Sequence, residues 1–255
     1  MRRVALILGL VFLWAPIALM AVYAFSDSRV PFEWGGFSLR WFAALAANER
    51  LLEAAWLSLR IGAAAATLAA LLGLALGWVL ARHGRFAGRP IFGVLAGAPL
   101  VLPEVVMGLA LLLLFVGLQA MTGWPAQRGA VTVWLAHASL GMAYVAVLVQ
   151  ARLAGLDPAL EEAAADLGAR PSVVFATITL PLIAPSLAAG WLLAFTLSLD
   201  DVVLASFVSG PGATTLPVYL FSQLRLGMTP EANALAVVLL GSAGGLGLLG
   251  WLLKR

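Results

Sequence analysis

Glu162-Ala163-Ala164-Ala165-Asp166-Leu167-Gly168, with Ile178-Thr179-Leu180-Pro181 following at a fixed distance, is a polar helical segment set between long apolar runs. Its alanines leave one face low enough for another protein's backbone to approach. Gly168 permits a turn that other residues make only at a cost, and Pro181 is expected to restart the chain as a new helix. Such a segment reads as a docking surface of two short helices hinged at Gly168. Away from it the chain is apolar: of 255 residues, 63% are hydrophobic and 11% charged. That composition belongs to a membrane protein.

Crossing the hydrocarbon takes roughly 20 apolar residues per helix. Six stretches qualify, at about 4–25, 54–81, 91–118, 131–151, 185–208 and 232–253. Their Leu, Ala, Gly and Val do not alternate, which argues for helices and against barrel strands. The reading is an all-α integral membrane protein, one transmembrane domain over 1–255, with a cytoplasmic loop at about 152–184. Basic residues near span ends stay on the cytoplasmic side. Arg2, Arg3, Arg82, Arg85, Arg89, Arg152, Arg170, Lys254 and Arg255 all fall on one side, so both termini are expected in the cytoplasm. Arg29, Arg40, Arg50, Arg128 and Arg225 are spread thinly over the other side. The net charge of +3 follows from this asymmetry and implies no nucleic-acid partner. Arg2-Arg3 before an apolar run resembles a secretory signal, but the run's length favours an uncleaved anchor.

The longest extracytoplasmic connection, 26–53, carries Trp34, Phe37, Trp41 and Phe42 and reads as an interfacial helix from Ser38 to about Asn48, with Ser38 as its N-cap. Trp41 has a second reading, because an aromatic face holds an organic cation. After Ser209-Gly210-Pro211-Gly212 the chain is expected to run as a loop to Glu231. Gly241, Gly244, Gly245, Gly247 and Gly250 fit the last span for close packing on another helix.

The spacing of the opening segment resembles the EAA loop of permease subunits in binding-protein-dependent ABC importers. An importer of that kind needs an energy source, and this chain has no glycine-rich phosphate loop; its only lysine is Lys254. ATP and Mg are therefore expected on a partner ATPase, with no cofactor bound by this chain. The contact would be made through Glu162, Ala163, Ala164, Asp166, Gly168, Ile178, Leu180 and Pro181. Glu162 and Asp166 lie one helical turn apart, placed to meet basic groups of a partner or to brace the loop against Arg152 or Arg170.

A second acidic group lies inside the apolar runs: Glu104 in the third, Asp200 and Asp201 in the fifth. A carboxylate at the centre of a span costs about 2.5–3.5 kcal/mol, so each should face a cavity or a partner. Counted along unbroken helices from Ile91 and Pro185, the acids rise about 20 and 22 Å, to similar depth. They would form one cation site, with Ser198 and Thr196 supplying hydroxyls. The neighbours Asp200 and Asp201 stand about 100° apart on a regular helix, so one of them is expected only to brace the backbone. Glu104 follows Pro103 and can satisfy free amides of a first turn; Pro99 and Pro103 suggest that the third span is broken. His137 reads as a packed, hydrogen-bonded histidine rather than a proton relay.

With these residues in view, the resemblance narrows. The run from Leu193 to Asp201, continuing through Ala205 to Pro217, is similar to putrescine and spermidine permease subunits, as are Leu102-Pro103-Glu104-Val105-Val106 and Pro230-Glu231-Ala232-Asn233-Ala234-Leu235. Gly123-Trp124-Pro125-Ala126-Gln127-Arg128-Gly129, with Trp134-Leu135-Ala136-His137 after it, resembles the putrescine-type subunit in particular. The resemblance implies a six-helix type I permease in a bacterial inner membrane. Its partners would be a second homologous permease, a pair of ATPase subunits, a periplasmic polyamine-binding protein and the surrounding lipid. It also implies Trp41, Glu104, Ser198, Asp200 and Asp201 as the substrate path, with Glu104 standing where an aspartate is frequent. Rival readings are an ABC permease for iron or another small solute, and a proton-coupled secondary carrier. An enzyme is not expected, since no His/Glu metal spacing or nucleophile–base pair is apparent.

Overall fold

The computed structural model describes residues 2–30, 33–84, 86–226 and 230–253. Arg85, Lys254 and Arg255, used above for orientation, lie outside the described residues. The chain order is α1 (Arg2–Tyr23), α2 (Arg40–Ala47), α3 (Glu49–Arg82), α4 (Arg89–Val101), α5 (Glu104–Thr122) and α6 (Ala130–Ala154). There follow α7 (Ala159–Asp166), α8 (Pro171–Val174), a π turn (Phe175–Thr179), α9 (Leu180–Asp200), α10 (Val203–Val208), α11 (Leu216–Leu226) and α12 (Glu231–Leu253). The α8, π and α9 segments form one continuous run from Pro171 to Asp200, and among the described residues it joins α1, α3, α5 and α6 as the five helices long and apolar enough to cross a membrane.

Several boundaries differ from those read in the sequence, each for a local reason. The third apolar stretch is two helices, because Leu102 and Pro103 are extended (ψ 136° and 139°). A proline drives the residue before it out of the helical region. Pro99, by contrast, stays inside α4. The fifth stretch also breaks, at Asp201, where ψ is 123°. In the polar segment the helix resumes at Pro171, not at Pro181. Pro181 is accommodated directly after the π turn, which contains the Thr177 carbonyl that the proline ring would crowd in a regular helix. Ser38 is not the N-cap of α2; that position is Leu39, and Ser38 Oγ instead accepts the Arg40 N–H at 3.2 Å just before the helix. The expected loop before Glu231 contains α11.

Contacts gather the chain into two units, 54–218 and 1–53 with 219–255. In the first, α6 is the central element, buried at twelve positions between α3 and α9. Small residues make this possible. A Cβ on Gly73 would stand 2.6 Å from Val145 Cβ, one on Gly77 2.7 Å from the Ala146 carbonyl, and one on Gly141 2.9 Å from Ala194 Cβ. A second cluster joins Ile61, Phe115, Val133, Leu140, Leu204 and Val208. We expect Gly73→Ala to push α3 off α6 and cost about 1–3 kcal/mol. Thermal unfolding in detergent checks this, with Gly93→Ala, whose Cβ would meet nothing within 4 Å, as the silent comparison.

In the other unit α12 packs on α1 and α2, and Asn48 Nδ2 donates to Glu231 Oε2 at 3.2 Å. Ser26 organises the turn after α1: its hydroxyl donates to the Glu33 carbonyl at 2.9 Å and accepts the Gly35 N–H at 3.1 Å. Most side chains of α1 are exposed, Phe12 at 84%. An apolar helix so bare is stable only with lipid or another helix against it. A Cβ on Gly241, Gly244 or Gly245 would meet nothing within 4 Å, so the described residues leave those notches of α12 unfilled.

Candidate functional site

Asp201 ends α9 and starts α10 with one side chain. Its carboxylate accepts the Leu204 N–H at 3.1 Å and the Ala205 N–H at 2.6 Å, two of the amides that a new helix leaves unsatisfied. His137 of α6 stands behind it, Nε2 at 3.1 Å from Asp201 Oδ2 and Nδ1 at 2.6 Å from Ser198 Oγ. With the carboxylate accepting, the Nε2–H donates to Asp201 and Nδ1 accepts a hydrogen bond from the Ser198 hydroxyl. His137, Ser198 and Asp201 are all buried. This is a packed polar network that pins the break between α9 and α10 onto α6. The histidine matches its reading from sequence, and Asp201 is the member of the aspartate pair that braces the backbone.

Asp200 points elsewhere. It is the last residue of α9 and is exposed, as is Glu104, the first residue of α5. Where α10 meets α5, one turn beyond Glu104, a Cβ on Gly108 would lie 2.6 Å from Phe207 Cδ2. Two broken apolar runs therefore pack together, each bearing an exposed acid at its break. Irregular backbone inside apolar spans is tolerated where protein or a water-filled cavity surrounds it. Neither Glu104 nor Asp200 is ion-paired with a basic side chain among the described residues. The third run turns at Leu102 and Pro103 before reaching Glu104, so the rise of an unbroken helix from Ile91 does not set the depth of that acid.

Trp41 lies in the other unit, 7% exposed, with its indole N–H donating to the Ser26 carbonyl at 2.7 Å. The Arg40 guanidinium sits 4.6 Å from its ring centroid. That aromatic face already holds a cation of the protein's own. Thr196 Oγ1 donates to the Leu193 carbonyl of its own helix at 2.9 Å.

The polar segment presents two faces. Glu162, Ala163, Asp166 and Gly168 are exposed, and so is Leu167, at 90%. Gly168 has φ +83°, a conformation that strains an L side chain, so the turn between α7 and α8 depends on glycine. Ala164, Ile178 and Leu180 are half-buried and Pro181 is exposed. Neither Arg152 nor Arg170 pairs with the acids of α7 among the described residues; Arg152 Nε donates instead to the Leu182 carbonyl at 3.1 Å. The inward acid is Glu161, which sequence reasoning passed over, and Leu167 was likewise not singled out. Leu160, Leu167 and Val173, exposed at 49, 90 and 47%, leave further apolar surface on the segment uncovered.

Asp201→Ala is expected to cost about 3–5 kcal/mol, since it strips two amides and a buried histidine of their acceptor at once. The measurement is thermal unfolding of the purified chain in detergent, with Asp200→Ala expected to change it by less than about 0.5 kcal/mol because that side chain is exposed.

Comparison with known proteins follows the same lines. Residues 73–255 match the family described as binding-protein-dependent transport system inner membrane component. The putrescine transport system permease protein PotI of Escherichia coli (strain K12) is 53% identical over 252 residues, 99% of this chain and 90% of that protein. The spermidine/putrescine transport system permease protein PotC of the same strain is 39% identical over 230 residues, 90% of this chain and 84% of that protein. Among solved structures, a bacterial ABC transporter involved in the import of the acidic polysaccharide alginate superposes with a TM-score of 0.73 at 15% identity. The match covers 99% of this chain and 94% of that one, a likeness of fold.

Proposed function

The chain belongs to the family of inner-membrane components of binding-protein-dependent transport systems, and on that footing we propose that it is the permease subunit of an ATP-driven importer of polyamines, putrescine foremost. Identity of 53% to a putrescine permease over nearly the whole chain is the observation that carries this reading. The exposed acids at the two helix breaks support it chemically. A diammonium ion leaving water needs anionic partners, and Glu104 and Asp200 are exposed carboxylates at these two breaks. Ser198 and Asp201 act one step back, fixing where Asp200 stands, while Trp41 serves chiefly to pack the turn after α1.

The remaining parts of the transporter lie outside this chain: a second related permease, two ATPase subunits that bind ATP and Mg, and a polyamine-binding protein on the far side of the membrane. Both termini face the cytoplasm, which puts the α7–α8 segment on the ATPase side. Glu162, Asp166 and the bare Leu167 form the face that docks. ATP binding draws the two docking segments together and opens the helices outward to receive the cation, and hydrolysis returns them inward. A proton-coupled carrier would leave the α7–α8 face without a role, and an importer of iron or another solute would not share the runs common to polyamine permeases.

Expression with its partner subunits in a bacterium lacking polyamine uptake tests the reading. Restored accumulation of labelled putrescine that disappears when the ATPase subunit is omitted is the expected result. Accumulation that survives that omission would point to a secondary carrier.

A further inference from the structure

Inward from the docking face, the Glu161 side chain bonds α7 to its neighbours. Glu161 Oε1 accepts Arg82 Nη2 at 3.1 Å and the Thr179 hydroxyl at 2.8 Å. Arg82 is the last residue of α3, where a cation also complements the negative end of the helix. Thr179 is the last residue of the π turn and is fully buried. One carboxylate oxygen thus ties the docking helix to the end of α3 and to the start of α9.

Two details set this contact apart from ordinary surface pairing. The first is the choice made by Thr179. Thr67, Thr122 and Thr177 each donate to the carbonyl four residues back in their own helix, at 2.7 Å. Thr179 turns away from its own helix to reach Glu161. The second is the burial of the pair, whose side chains are 17% and 23% exposed. Attraction between such partly desolvated charges is screened less by water and salt than at an open surface. Trp78, one turn before Arg82, packs edge-on against Phe175 of the same π turn at 5.0 Å between centroids, so α3 grips the segment at two points.

From Thr179 the chain continues without a break through the 21 residues of α9 to Asp200. That is about 30 Å of helix at 1.5 Å per residue. A π turn is a place where a helix changes register, and such turns recur at functional sites.

We propose that Glu161 is a positioning residue for transport: with Arg82 and Thr179 it is the latch through which movement of the docking helix reaches α3 and, along α9, the acidic break at Asp200. The proposal rests on the importer reading above. It gives the two adjacent glutamates different tasks, Glu162 facing the partner and Glu161 transmitting the motion. With the latch cut, ATP is still hydrolysed, but each cycle moves less polyamine.

The test uses the whole complex reconstituted in proteoliposomes with its binding protein, reading labelled putrescine imported per ATP hydrolysed. Glu161→Gln and Thr179→Val are each expected to lower that ratio about tenfold, within the usual range of coupling between sites. Thr179→Ser, which keeps the hydroxyl, should hold the wild-type ratio. The double variant should lose no more than the worse single, because both changes open the same latch. An unchanged ratio in Glu161→Gln, or losses that multiply in the double variant, would overturn the proposal. So would a Glu161→Gln chain that no longer assembles with its partners, since its role would then be structural alone. If the wild-type complex moves no putrescine, the polyamine reading fails separately. The latch is then judged by whether stimulation of ATPase activity by the binding protein is lost in Glu161→Gln, as expected, or retained, which would refute it.

Discussion

Asp200→Asn is expected to lower putrescine uptake about ten- to 100-fold while leaving the amount of assembled complex unchanged. The magnitude is that of one hydrogen bond to a charged group, about 1.5–3 kcal/mol. The expectation of normal assembly follows from geometry: Asp200 is exposed at the end of α9, whereas its neighbour Asp201 carries the start of α10 and the His137 contact. The two aspartates should therefore separate cleanly, one variant losing transport with a stable chain and the other losing the chain. Uptake kinetics beside size-exclusion profiles give both readings. Normal uptake in Asp200→Asn would place the cation's route away from the α9 break.

Leu167→Asp should abolish capture of the ATPase subunits, at least about 30-fold in affinity if this side chain is an anchor of the interface. A leucine 90% exposed beside a glycine at φ +83° contributes almost nothing to the chain's own stability. Its substitution should therefore be silent in the isolated permease and severe in the complex. Co-purification with the tagged ATPase measures the effect; undiminished capture would remove α7 and the turn after it from the interface. Gly168→Val should act in the same direction through the backbone, because a β-branched residue is strained in that turn.

How much of this could be read from the residues alone varies from element to element. The apolar runs announce themselves, because a hydrocarbon crossing demands length and composition that nothing else supplies. The break before Glu104 was also legible: Pro103 cannot donate a backbone N–H and forces Leu102 extended. The break after Asp200 carries no such signal. Neither Pro nor Gly marks it, and what ends the helix is the Asp201 carboxylate taking the Leu204 and Ala205 amides with His137 behind it, an arrangement assembled across 64 residues. In the polar segment two prolines each fit a helix start, and the choice of Pro171 over Pro181 follows from the π turn, which no local propensity encodes. The division of labour between Glu161 and Glu162 was illegible for a similar reason. Adjacent acids look alike in sequence, and only the position of Arg82 at the end of α3 decides which one turns inward.

The polyamine claim is tested most directly by ATP-driven uptake of labelled putrescine and spermidine into proteoliposomes holding the assembled complex, with and without its binding protein. Putrescine import that requires both ATP and the binding protein is the predicted result. An assembled complex that hydrolyses ATP in response to its binding protein yet moves neither polyamine would contradict it.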